Sequence, residues 1–298
     1  MDRDRTVKFL CYDGKVSVIA TITTDLVEYV KNLHGLTPTT TAAFGRFITI
    51  SGMMGHTEIK EDNDSITIQL NGKGETGSLV SVIKREDGKI YVKGYISNPL
   101  VELPLKQDGK LDVGGAVGTN GYLNIIKENE ITKQGYNGLV PLVSGEIAED
   151  FASYFVTSKQ VPTVLALGVL VNKDGVKSSG GYMINLMPDA TEEIISQIEK
   201  AVEKAPSISE MLDEDKTLEE IVQIVTGDEA PKIIEDNLII GYRCDCSKEK
   251  FERGIISLGK EEVQEIIEED GCANTKCHFC NKEYFFSRED LQAILDKI

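Results

Sequence analysis

Five of the six cysteines lie beyond residue 240, at Cys244, Cys246, Cys272, Cys277 and Cys280. Cys244-Asp-Cys246 is followed, after 30 intervening residues, by Cys277-His-Phe-Cys280. Two short-spaced thiol pairs are the donor set that a tetrahedral zinc ion takes, once the chain between them folds back. The segment after Tyr242 is too small to bury much core, so a metal staple suits it. Zinc also holds sulfur as thiolate, the form that oxidants attack. The first pair is CxC rather than CxxC, and a disulfide across CxC closes a small, strained and easily reduced ring. Zinc ligation by Cys244, Cys246, Cys277 and Cys280 is the expectation. The spacing fits either an inert staple or a site that exchanges its metal for local disulfides and loses folding energy as it does so.

Other residues are weaker candidates. Cys272 is an extra thiol that could be a spare ligand, a competing disulfide partner or a passive residue, and it reads best as passive. Cys11 reads as a small core residue. His278 lies inside the CxxC, where a four-cysteine set leaves it no ligand role, and His34 and His56 read as caps or surface residues near helix ends. Arg243, Lys276 and Lys282 are placed to offset the charge of a four-thiolate site. Gly114-Gly115-Ala-Val-Gly118-Thr-Asn-Gly121 lacks both the dinucleotide and the P-loop pattern and reads as a turn. Ser144-Gly145 is not a nucleophile elbow, and adjacent Glu149 and Asp150 diverge on a helix. No catalytic constellation is visible, so an enzyme is not expected.

The elements that must position these thiols read as α+β. The chain of 298 residues is 41% apolar and 27% charged, which suffices for a buried core. Thr6–Tyr12 and Lys15–Ile22 form a hairpin around Asp13-Gly14. Asp25 and Glu28 have capping-box spacing, and Thr39–Gly55 reads as a helix with Pro38 at its start. Its Gly45, Gly52 and Gly55 suggest close approach to another backbone. Strands follow at 66–71, 79–84, 90–96 and 123–128. Residues 146–157 are helical, and 162–172 pairs with 180–187. The expectation is a mainly antiparallel sheet core with packed helices. Beyond it come amphipathic helices at 189–205, 207–212 and 218–225, a strand at 237–242, and a final helix from Ser287.

Charge divides the chain as well. The net charge of −17 is concentrated after Pro188, where 28 acids face 13 bases. That balance argues against nucleic acid and against anionic membrane surfaces. No run is long enough to span a bilayer, and the charged N-terminus has no secretory pattern, so a cytoplasmic protein is expected.

The cysteine set, the CHFCNKEYFF run, the segment GYNGLVPLVSGEIAEDFASYFVTSKQVPTVLALGVLV, the helix AAFGRFITISGMMG and the segment VKGYISNP together resemble a known family over nearly the whole chain. It is the 33 kDa chaperonin family of bacterial, redox-regulated, ATP-independent heat-shock holdases. The resemblance implies a core of residues 1–187 that binds clients and dimerises, an acidic helical linker of 188–241, and a zinc switch of 242–298. It implies one Zn²⁺ per chain in the reduced, inactive state. Oxidation would pair Cys244–Cys246 and Cys277–Cys280, release zinc, unfold the linker and let a homodimer hold unfolding proteins against aggregation. Cys272 departs from the family pattern and could capture Cys277 or Cys280. The faces Ile194–Val202 and Leu218–Val225 would then cover part of the client-binding surface. A thiol–disulfide oxidoreductase and a zinc-stapled interaction protein without a switch are the alternatives.

Overall fold

The computed structural model describes residues 4–62, 64–129, 131 and 135–298, which leaves the first three residues of the charged N-terminus outside. It divides into two units, Met1–Tyr242 and Arg243–Ile298.

The first unit opens with β1 (Arg5–Cys11), β2 (Val16–Ile22), α1 (Thr24–His34) and α2 (Pro38–Glu58). Then come β3 (Asp64–Asn71), β4 (Ser78–Glu86), β5 (Lys89–Ile96), the short α3 (Val113–Val117), β6 (Tyr122–Asn129) and β7 (Gly135–Pro141). It closes with α4 (Ala148–Lys159), β8 (Thr163–Asn172), β9 (Gly175–Leu186), α5 (Glu192–Lys204), α6 (Ile208–Asp213), α7 (Leu218–Thr226) and β10 (Lys232–Tyr242). The ten strands make one sheet in the order β7-β6-β3-β4-β5-β10-β1-β2-β9-β8. Neighbours run antiparallel except β5 and β10, which pair in parallel over 240–242 and 90–92. Turn chemistry agrees with this register. Asp87 and Gly88 both take positive φ between β4 and β5, as a two-residue hairpin turn requires.

Alternation along the strands builds two cores. Ile19 and Met183 face the larger one, with Phe44, Phe47, Ile48 and Met53 of α2 and Phe151 and Tyr154 of α4. Val16, Val18, Ala20, Tyr182 and Ile184, with Val7 and Phe9, face the other way. That second face is covered by α5, α6 and α7 through Ile194, Ile198, Ile208, Met211, Leu218, Ile221, Val222 and Val225. The helices α5, α6 and α7 are thus packed on the sheet, and β10 is one of its central strands.

The glycines of α2 allow close packing, but against branched side chains. A Cβ on Gly45 would lie 2.7 Å from Val27, on Gly52 2.9 Å from Ile240, and on Gly55 2.7 Å from Ile90. Thr37 caps α2 by accepting from Thr40 N, with Pro38 in the first turn.

Several local expectations are corrected. Asp25 and Glu28 form no capping box. The backbone N–H groups of Asp25 and Leu26 donate to Asp4, and Glu28 accepts from Val176 N instead. The N-cap residue is Thr23, whose hydroxyl is held by Thr49 and Ser179. The glycine-rich segment holds the helix α3, capped by Asp112. His56 is neither cap nor surface. It is buried between Thr6 at 3.1 Å and Glu235 at 3.0 Å. Asp150 is fully buried, and its carboxylate gathers the backbone N–H groups of Val143, Ser144, Gly145 and Ile147. It pins the turn into α4.

Candidate metal and redox site

The second unit comprises α8 (Lys248–Ile256), α9 (Lys260–Glu269), β11 (Ala273–Lys276), β12 (Glu283–Phe286) and α10 (Arg288–Leu295). Its apolar cluster is small, with Ile255, Val263, Ile267, Tyr284, Phe286, Leu291 and Ile294 buried. Local signals set these elements. Ser247 caps α8 by accepting from Lys250 N, and Ser287 with Asp290 forms the capping box of α10. β11 and β12 pair antiparallel, with Thr275 opposite Tyr284.

The turn of this hairpin carries the CxxC. Cys277 N donates to Lys282 O at 2.9 Å and Asn281 N to Cys277 O at 2.8 Å, with Asn281 in the left-handed region at φ 59. This tight knuckle aims Cys277 and Cys280 to one side. The CxC lies just before α8, and Asp245 between its thiols pairs with Lys250.

The four sulfurs of Cys244, Cys246, Cys277 and Cys280 all lie within 4.8 Å of one another. Cys244 and Cys277 are 3.7 Å apart, and Cys246 and Cys280 are 3.3 Å apart. Four thiolates around zinc at about 2.3 Å have tetrahedral edges of about 3.8 Å. The cluster therefore fits a tetrahedral thiophilic metal. All six cysteines are free thiols.

Hydrogen-bond donors surround the sulfurs. Backbone N–H of Cys246 reaches Cys244, and that of Lys282 reaches Cys280. Tyr284 donates its hydroxyl to Cys246 Sγ at 3.1 Å. Burial pushes the Cys244 and Cys280 thiols up. Burial also acts on Cys246, but the Tyr284 hydroxyl and the neighbouring thiols outweigh it and hold that thiol below its ordinary value. Lys282 stands over the Tyr284 ring at 5.2 Å from the centroid.

The remaining candidates separate from the cluster. Cys272 is half-buried and His278 exposed, and neither belongs to the four-sulfur group. Cys11 is fully buried beneath α7, and burial, reinforced by the charge of Asp228, pushes its thiol up to about 12. It is an inert core residue.

No described helix is long and apolar enough to cross a membrane. The family model described as Hsp33 protein matches residues 4–287. The 33 kDa chaperonin of Caldanaerobacter subterraneus is 43% identical over 293 residues, covering 98% of each chain. That of Bacillus subtilis is 42% identical over 295 residues, covering 99% of each. The crystal structure of the 33 kDa chaperonin, or heat shock protein 33 homologue, of Thermotoga maritima superposes with a TM-score of 0.86 at 31% identity, covering 98% of both chains. The same α+β architecture and the same length, together with this cysteine cluster, make the chain a chaperone that belongs to the Hsp33 family.

Proposed function

We propose that this chain is a redox-switched, ATP-independent holdase with three parts: a core of residues 1–187, a linker of 188–241 and a switch of 242–298. The observation that carries the reading is the four-sulfur cluster, with every sulfur within 4.8 Å of the others. Cys244, Cys246, Cys277 and Cys280 would hold one Zn²⁺, which keeps the sulfurs as thiolates and cross-links the two cysteine pairs.

The residues of the chain do the rest. Oxidation converts Cys244 with Cys246 and Cys277 with Cys280 into two disulfides, and neither pair is then tied to the other. The small cluster around Val263 and Phe286 cannot hold the unit folded alone. Cys244 follows β10 by two residues, so disorder starting there runs into the strand and then into α5–α7. Release of these helices bares Val7, Phe9, Val18 and Ile184 on the sheet. An apolar surface of that kind binds unfolding proteins. The working form is a homodimer in the cytoplasm.

The test measures zinc per chain and suppression of aggregation of a heat-unfolding client, before and after peroxide with mild heat. One zinc per chain, lost as protection appears, is the expected result. Zinc retained, or lost with no gain in protection, would leave a metal-stapled interaction protein.

A further inference from the structure

We propose that Tyr284 is a positioning residue of the switch: its hydroxyl bond to Cys246 Sγ damps the reactivity of that sulfur and holds the reduced state closed against weak oxidant. This inference rests on the reading of the four cysteines as a metal site.

Three observations place the hydroxyl. Its oxygen lies 3.1 Å from Cys246 Sγ. The ring is clamped, with Phe251 at 5.0 Å between centroids on one contact and Lys282 Nζ at 5.2 Å on another. The backbone of Tyr284 is fixed in the β11–β12 register, where its carbonyl accepts from Thr275 Oγ1 at 3.3 Å. The donor is therefore preorganised. A cation over the ring also makes the phenol a stronger donor.

Cys246 differs from its neighbours in the kind of donor it receives. Apart from the neighbouring cysteine sulfurs, the donors at Cys244 and Cys280 are backbone N–H groups within the CxC and the knuckle. Such donors come with the fold, whereas the donor at Cys246 is a side chain. A hydrogen bond to a thiolate withdraws electron density from sulfur and stabilises it over the transition state of attack. In that attack the thiolate displaces hydroxide from hydrogen peroxide. An S–O bond forms, the O–O bond breaks, and the hydroxide leaves as water after taking a proton. A second thiolate then displaces water from the protonated sulfenic acid to give the disulfide. The net change is two thiolates, one peroxide and two protons to one disulfide and two waters. The Tyr284 bond must be given up in the first step at Cys246.

The test compares wild type with Tyr284→Phe in the full chain, loaded with Zn²⁺ or Co²⁺. Tyr284→Phe should keep one metal per chain. It should raise alkylation of Cys246 by iodoacetamide, read by mass spectrometry, and peroxide-driven zinc release by about fivefold, as loss of one such bond implies. In the Co²⁺ form the sulfur-to-metal charge-transfer band should move to lower energy, because an undamped sulfur gives up electron density more readily. Phe251→Leu loosens the same ring without deleting the donor and should move the band in the same direction but by clearly less than Tyr284→Phe does. An unmoved band and unchanged rates in Tyr284→Phe would overturn the proposal, as would loss of metal binding or an equal band shift in Phe251→Leu. Failure of the wild-type chain itself to bind cobalt would instead strike at the metal-site reading.

Discussion

His56 is the residue whose environment most departs from its sequence context. A histidine near the end of a helix ordinarily meets water, but here its side chain is 1% exposed. It bridges α2 to β1 through Thr6 and to β10 through Glu235, which also pairs with Arg85 of β4 at 3.3 Å. Burial holds its imidazole below the ordinary value, against the pull of the Glu235 carboxylate, while Lys8 and Arg85 push the same way as burial. The folded state therefore resists a proton that the unfolded chain accepts near pH 6.5. Stability from this group is present above that pH and is lost as pH falls toward the folded value. The urea midpoint of the reduced protein should drop between about pH 7.5 and 5.5, the window set by the unperturbed histidine. In His56→Gln that part of the slope should vanish. Parallel pH profiles for the two proteins would remove His56 as the cause.

The covering helices are the elements on which the proposed switch must act, and they are short. The helix α7 has nine residues and α6 has six, each below the length at which an isolated helix holds in water. They depend on packing against the sheet. The helix α5 commits only Ile194 and Ile198 to full burial. The end of α7 is fastened by Tyr12, whose hydroxyl donates to Thr226 O at 2.7 Å and whose N–H donates to Asp228 at 2.7 Å. Ile221 is fully buried at the centre of the α7 contact. Ile221→Asp places a carboxylate in that apolar contact at a cost of about 3 kcal/mol or more, enough to free the helix while the larger core stays intact. The variant should protect clients under reducing conditions with its metal still bound. Hydrogen exchange would report release of α7, and light scattering would report protection. A released α7 with no protection would mean that the sheet face beneath it does not bind clients. The helices α5 and α7 were legible because their apolar residues repeat at helical spacing over two or more turns. The strand β7, with Gly135 and Gly138 and an exposed Leu139, carries too little alternation to be read. The helices α8 and α9 went unread, although Ile255, Val263 and Ile267 keep the period. That β10 lies between β5 and β1 is a pairing across more than 140 residues, which no local pattern encodes. The clustering of Cys244, Cys246, Cys277 and Cys280 was legible from spacing alone, because short thiol pairs have few other uses. Tyr284 was not, since its hydroxyl reaches Cys246 only through the register of a hairpin set 38 residues further on.

At the scale of the whole molecule the charge has a location. Residues 188–242 hold 15 acids against 4 bases, a net −11, while residues 1–187 are close to neutral at −2. Individual acids are well placed there: Glu192 and Glu193 open α5, Glu219 and Glu220 open α7, and each favours its helix dipole. Glu210 and Glu220 also close capping boxes, and their bonds to Ser207 and Thr217 hold both carboxyls below the usual range. Summed over three short helices on one face, the same charges repel one another. Local stability and collective strain thus reside in the same residues. Neutralising the acids by mutation would destroy the caps along with the repulsion, so salt is the cleaner probe. Repulsion between exposed charges fades once their spacing exceeds the Debye length, about 10 Å at 0.1 M and about 3 Å at 1 M. Raising sodium chloride from about 0.02 to 0.3 M should increase amide-exchange protection across α5, α6 and α7 in the reduced protein, with the Debye length falling from above 20 Å to about 6 Å. Amides of α2, enclosed in the larger core, serve as the internal reference and should not change. The same salt should delay the onset of client protection after peroxide, because the covered state gains while the thiol chemistry is unaltered. Equal protection of α5–α7 at both salt concentrations would show that their acidic charge is a solubility feature and that the proposed release is driven by the loss of packing alone.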